Sequence, residues 1–296
     1  MCWRKLISAA DFYDVDRVIL GGDMTGKAVV PIVRQNDGTC TSSFLGRKTI
    51  LASPMEIEAH KKLIVDAGRY IFECDPEDLE KLKDNKDEAD EIFKEKVIER
   101  IRDWLRLAEI NLKPKHKQII VAPGNDDQEY IDQVLRESEV ILMAEGRVLD
   151  IDGHEMLSSG WSNPTPWHTP RECSEEELRN KIETMTPHIK NFETSIFNIH
   201  VPPFGSGLDV APKLKENMEV DPKESSSVGS TAVLELIKKH QPMIGLHGHI
   251  HESRGRRQIG RTVCVNPGSN YTDSILSGVV VTLGDKKIES VVFTSG

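Results

Sequence analysis

The segment Leu246-His247-Gly248-His249-Ile250-His251 places three histidines within five positions, directly after the apolar run Pro242-Met243-Ile244-Gly245. Neutral imidazole is the commonest protein ligand for a borderline divalent metal ion. An apolar strand that ends in such a cluster presents ligands from a loop. His249 and His251, two positions apart in this loop, are expected to reach toward different ions. The competing reading, a surface turn whose histidines bind only water, leaves the clustering without a cause.

Three further stretches have the same form. Arg17-Val18-Ile19-Leu20-Gly21-Gly22-Asp23 is a short apolar strand closed by two glycines and an aspartate. Gln118-Ile119-Ile120-Val121-Ala122-Pro123-Gly124-Asn125-Asp126-Asp127 is a second, and Ser195-Ile196-Phe197-Asn198-Ile199-His200 is a third, followed by Val201-Pro202-Pro203. Open α/β sheets collect ligands at the carboxyl ends of their strands. Each stretch alone is weak; the ordered set Asp, Asn, His, His-x-His is specific.

That set resembles the calcineurin-like metallophosphoesterases over most of the chain. It is most similar to a subgroup that reads Gly-Asn-Asp-Asp and also carries Asn-Pro-Thr-Pro-Trp and Asn-Pro-Gly-Ser, present here as Asn163-Pro164-Thr165-Pro166-Trp167 and Asn266-Pro267-Gly268-Ser269. The resemblance implies an α/β fold of two packed mixed β-sheets flanked by helices, a four-layer αββα sandwich. It also implies a two-metal site with a bridging aspartate and a bridging hydroxide. Carried over residue by residue, Asp23 is the bridging aspartate, Asn125, His200 and His249 are ligands of the second metal, and His251 is a ligand of the first.

Two departures qualify what the resemblance implies. The family opens with a strand ending in Asp-x-His that supplies first-metal ligands, whereas only 22 residues precede Asp23 and none reads as that strand. The sole Asp-x-His, Asp152-Gly153-His154, lies between two β-like segments and reads as a hairpin turn. One well-held ion is therefore expected, with the first site impaired, and truncation at the N-terminus is preferred over drift to inactivity. The second departure is Asp126, which stands where many relatives have a histidine regarded as a general acid.

The implied chemistry is hydrolysis of a phosphomonoester or phosphodiester by water activated between two divalent ions, about 3.5–4 Å apart in such sites. Mixed nitrogen and oxygen ligands suit Mn, Fe, Zn, Ni or Co. Asp126 and Asp127 are the expected catalytic carboxylates, the first as acid or water-orienting group and the second as a loop anchor. Asn163, His168, Arg171 and His247 are the expected substrate-binding residues. Arg171 reads either as a phosphate clamp through its planar fork or as a partner of a neighbouring carboxylate. Lys27 receives no role. The alternative to an enzyme is a catalytically weak regulatory module that binds metal and phosphate.

The elements that must position these groups alternate between helical and strand patterns. The 296 residues, 38% hydrophobic and 29% charged, suit a soluble globular chain of one large domain or two small ones. The net charge of −10 argues against nucleic acid and membrane partners and leaves a small phosphate ester as the expected partner. The five cysteines are scattered without zinc or redox spacing, no apolar run approaches a membrane span, and no secretory signal opens the chain, so a cytoplasmic location is expected. Residues 3–12 carry a helical apolar face, and 28–51 read as one hairpin turning at Asp37-Gly38. Residues 54–113 read as a mainly helical insertion in a single 1–296 domain. Its longest helix, 84–112, has one apolar stripe and fits either a cap or, by preference, scaffold. The stretches 158–173 and 200–230 read as long loops.

Overall fold

The protein is described here by a computed structural model covering residues 2–214 and 220–296. Its central element is a six-stranded sheet in the order Gly255–Ile259, Thr262–Asn266, Ile244–Leu246, Ile196–Ile199, His154–Ser159, Arg147–Ile151. The four inner strands run parallel, and an antiparallel strand closes each edge. Parallel strands need cover on both faces, and the period-two alternation of apolar residues provides it. Phe197 and Ile199 face a core made with the helices Glu175–Glu183 and Thr231–His240, through Leu178, Ile182, Val233, Leu236 and Ile237. Ile196, with Met156, Ile244, Val263 and Val265, faces a second core.

Across that second core lie a three-stranded parallel sheet, Arg17–Leu20, Gln118–Val121 and Ile141–Met143, and the C-terminal hairpin of Ser277–Gly284 with Lys287–Ser295. Ile120 points inward to this core, while Ile119 and Val121 point outward to the helices Cys2–Phe12 and Lys86–Leu112. The layers therefore run helix, sheet, sheet, helix, as the resemblance implies.

The long helix Lys86–Leu112 is scaffold. Its stripe of Val97, Ile101, Leu105, Ala108 and Leu112 is buried against Trp3, Ile7 and Ala10 of the first helix and against the three-stranded sheet. The Trp3 indole N–H donates to the Trp104 carbonyl at 3.0 Å, and the two rings stack at 5.2 Å.

The expectations for 28–51 and 200–230 need correction, and the mainly helical 54–113 segment gains a strand. The 28–51 segment is a three-strand meander, Val29–Arg34, Cys40–Phe44 and Arg47–Leu51, because a second tight turn falls at Leu45-Gly46, both with positive φ. Leucine is a poor residue for that conformation, so its type gives no turn signal. Tyr70–Cys74, within the segment read as mainly helical, is a strand that pairs parallel with Val29–Arg34 and completes a small four-stranded sheet. The helix Pro54–Asp66 packs on it around Val30, Ile32, Cys40, Leu51 and Ile64. The 200–230 stretch contains the antiparallel pair Val210–Leu214 and Val220–Ser227; its residues 215–219 lie outside the described residues. Asp152-Gly153 is a hairpin turn as expected, both residues having positive φ. Among the described residues, no helix is long and apolar enough to cross a membrane.

The two facing sheets touch where Gly160, after the His154–Ser159 strand, meets Pro123; a Cβ at Gly160 would stand 1.3 Å from the Pro123 carbonyl oxygen. The Glu145 carboxyl accepts the Gly160 N–H at 2.5 Å, and burial pushes its pKa up from 4.5 to about 7. A raised carboxyl keeps its proton in the fold while the unfolded chain has lost it, so this group subtracts stability as pH rises through that window.

Two outcomes are expected from these contacts. Ile101→Ala should cost roughly 2–5 kcal/mol in denaturant unfolding, whereas a cap helix would tolerate it nearly unchanged. In chelator, the stability of Glu145→Gln relative to wild type should grow from pH 4.5 to about 7 and then level off. A pH-independent difference would contradict the assigned protonation.

Candidate metal centre

Two loops from the three-stranded sheet and two from the six-stranded sheet converge at their carboxyl ends. The first pair meets through glycines. Gly22 has φ 120°, and a Cβ there would lie 2.5 Å from the Gly124 Cα and 2.6 Å from His200 Nδ1. A Cβ on Gly124 would lie 2.3 Å from Asp23 Oδ1. Only residues without side chains allow this approach.

Asp127 fastens the contact. Fully buried, its carboxylate accepts the Gly124 N–H at 2.8 Å, the Met24 N–H at 3.1 Å, the Thr25 N–H at 2.9 Å and the Thr25 hydroxyl at 2.7 Å. Burial and the neighbouring Asp23 charge push its pKa above the ordinary carboxylate value. This is the loop-anchoring part of the expected role for Asp127.

Asp23, His200 and His249 offer ligand atoms that all lie within 4.8 Å of one another. His200 Nδ1 faces the Gly21 carbonyl at 2.6 Å, which turns Nε2 toward Asn125 Oδ1 at 3.0 Å and Asp23 Oδ2 at 3.2 Å. His249, with φ 64°, brings Nδ1 to 2.7 Å from the same Asn125 oxygen. The Asn125 amide nitrogen donates to Thr169 Oγ1 at 2.8 Å, and Thr169 Oγ1 donates to Glu172 at 2.6 Å, so Oδ1 is the atom presented to the cluster. Two oxygens and two nitrogens thus converge, each held by an outer partner or a constrained backbone, as metal ligands are.

The electrostatics fit a cation. Burial opposes ionisation of Asp23, yet the His200 charge and hydrogen bond, the His249 ring and the Asp126 N–H outweigh it and hold the carboxyl below its usual range. Burial likewise opposes a charged His200, but Asp23 carries its pKa up to about 9. Burial and the adjacent His200 push His249 down to about 3, leaving it a neutral donor. The imidazolium of His200 beside Asp23 marks where positive charge is wanted, and a divalent ion would supply it with both histidines neutral.

The remaining expected residues are distributed unevenly. His251 is not in the converging cluster; its ring stands edge-on to Tyr271 at 5.8 Å. His247 is buried behind the loop with Nδ1 at 2.9 Å from the Ile199 carbonyl, and burial lowers its pKa to about 4, so it faces the fold and not a ligand. Arg171 is 1% exposed: Nε donates to the Asp127 carbonyl at 2.8 Å and the fork pairs with Asp132 at 2.5 Å. The phosphate-clamp reading of Arg171 is therefore corrected to the carboxylate-partner reading. Asn163 donates to the Val228 carbonyl at 3.3 Å, and His168 is exposed in the left-handed region at φ 50°. Asp126 donates its backbone N–H to Asp23 Oδ1 at 3.1 Å, and its carboxylate pairs with the Lys27 ammonium.

Sequence reasoning missed three residues. Glu172 ties the 165–172 loop by accepting the N–H and hydroxyl of both Thr165 and Thr169. The Thr169-x-x-Glu172 spacing, that of a capping box, is a legible signal. Asn266 donates to the carbonyls of Gly248 at 3.2 Å and Ile250 at 2.9 Å, fixing the histidine loop, which gives Asn266-Pro267-Gly268-Ser269 a structural purpose. Lys27 is the third.

Comparison with known proteins gives a family match, one relative and more distant structural likenesses. Residues 196–291 match the family described as Metallophosphoesterase, calcineurin superfamily; the match includes His200 and His249 and leaves Asp23 and Asn125 outside. The chain is 32% identical over 166 residues to the uncharacterized protein MJ1162 of Methanocaldococcus jannaschii, spanning 55% of this chain and 67% of that one, and the two belong to one family. Among solved structures, TT1561 of Thermus thermophilus aligns with a TM-score of 0.40 at 16% identity over 66% of this chain and 76% of that one. The sulfate thiohydrolase SoxB of the same genus, solved with glycerol, aligns at 0.34 and 13% over 81% and 41%.

Elemental analysis of the dialysed protein should find close to one equivalent of divalent metal, lowered sharply by His200→Ala and by His249→Ala. Gly124→Ala, which touches no ligand chemically, should still weaken metal binding roughly tenfold or more by displacing Asp23. Stoichiometric metal surviving both histidine changes would contradict the assignment.

Proposed function

We propose that this member of the metallophosphoesterase, calcineurin superfamily is a metal-dependent hydrolase of a small phosphate ester, either a monoester or a diester. The observation that carries the reading is the convergence of Asp23, Asn125, His200 and His249 from strand ends of two facing sheets. Those four residues would hold one ion of the Mn, Fe, Zn, Ni or Co type. Divalent metal bound there would polarise the phosphoryl group and activate the attacking water. Asp23 has two carboxylate oxygens and so suits a bridging role; a second ion would draw on Asp23 and His251 from this chain.

The chain's own groups favour water as nucleophile. Burial pushes the Cys173 thiol up to about 11 and the Cys264 thiol up to about 12, so neither offers a thiolate near neutrality. Asp127 positions the two acidic loops and touches no open face. In this reading the exposed His168 and the half-buried Asn163, near the Thr169 that holds Asn125, are substrate-side residues. The separation of His251 from the donor cluster supports a second reading, a regulatory module with one ion and weak turnover.

Turnover separates the two. With manganese supplied, the protein should hydrolyse a chromogenic phosphodiester or phosphomonoester, chelator should abolish the activity, and His249→Ala should reduce it to near background. Absence of turnover on both esters, with metal shown to be bound, would favour the regulatory module.

A further inference from the structure

Lys27 lies four residues beyond Asp23 on the same loop, and its ammonium is paired with the Asp126 carboxylate. The Lys27 side chain is 58% exposed and that of Asp126 only 13%, so the cation is the outer member of the pair. Residue 126 is itself locked to the centre, because its N–H donates to Asp23 Oδ1 and it sits between Asn125 and Asp127. The pair therefore joins the two loops that carry Asp23 and Asn125, with the cation open to solvent on its outer side.

We propose that Lys27 is a phosphate-binding residue of this site, its ammonium taking a non-bridging oxygen of a phosphoryl group held at the Asp23, Asn125, His200 and His249 cluster. The assignment rests on the phosphoesterase reading. Its first support is charge. Asp23, Asp126 and Asp127 crowd three carboxyl groups into two adjoining loops of a chain with net charge −10. A phosphate dianion approaching one divalent ion there needs further positive charge. The second support is elimination: Arg171, the residue whose type best suits a phosphate, has its guanidinium committed to Asp127, Gln128 and Asp132. The third is donor geometry. An ammonium carries three donors, so Lys27 can keep Asp126 and take a phosphoryl oxygen as a second partner. Asp126 then serves to hold the cation in place. If the pair were only an exposed surface ion pair, it would contribute little to anything.

The test is titration of manganese-loaded protein with inorganic phosphate, with manganese stoichiometry measured for every variant. Wild type should bind phosphate. Lys27→Ala should keep its manganese and weaken phosphate roughly ten- to a hundredfold, the range for loss of a charge-assisted hydrogen bond. Lys27→Arg, which keeps the positive charge, should restore most of the affinity. Unchanged phosphate affinity in Lys27→Ala with manganese retained would overturn the assignment while leaving the phosphoesterase reading intact. Loss of manganese in Lys27→Ala would overturn it as well, making the residue a support of the metal ligands. Failure of loaded wild type to bind phosphate would remove the phosphoesterase reading and the Lys27 assignment together.

Discussion

Two loops from neighbouring strands approach until Gly22 and Gly124 touch, and the buried Asp127 carboxylate gathers the backbone N–H groups of both. This contact sets the position of Asp23 relative to Asn125 and leaves just enough room for the His200 ring to enter from the opposite sheet. It is costly to build, since it buries a carboxylate beside another acid and holds Asp23 at φ 53°. The hydrogen bonds that Asp127 accepts offset part of that cost, and a bound cation would offset more.

Around this contact the polar groups divide between those that face inward and those that fix their neighbours. Gly21 orients His200 through its carbonyl, Thr169 and Glu172 orient Asn125, and Asn266 restrains the loop that carries His249. None of these contributes a donor atom of its own to the cluster. Their effect is to remove alternative rotamers, so that the donor atoms converge before any ion arrives and less ordering is left to binding. The surrounding layers contribute rigidity: both sheets have their outer faces covered by helices, and the strand ends that carry the donors are anchored in two separate cores.

Much of this centre was legible in the sequence, for a physical reason. A buried parallel strand must be apolar, so a polar residue at its carboxyl end stands out against the run before it, as at Asp23, Asn125, His200 and His249. What was not legible concerns direction. Arg171 and His247 have the right chemistry for a substrate, yet both turn into the fold, and nothing in residue type separates an inward guanidinium from an outward one. The strand Tyr70–Cys74 was hidden by the charged helices on either side, and the turn at Leu45-Gly46 was hidden by a leucine in a conformation that asparagine would have announced. Lys27 was passed over because an isolated lysine carries no periodic signal; its interest arises only from the partner that the fold gives it.

The proposed function requires one divalent ion among Asp23, Asn125, His200 and His249. Anomalous diffraction from crystals grown with manganese, recorded above and below the metal edge, tests it most directly. An anomalous peak is expected bounded by the Asp23 carboxylate, the Asn125 Oδ1, the His200 Nε2 and the His249 Nδ1, at coordination distances of about 2.0–2.3 Å. A peak at other residues, or manganese-dependent phosphate ester hydrolysis from crystals with no peak among these four, would contradict it.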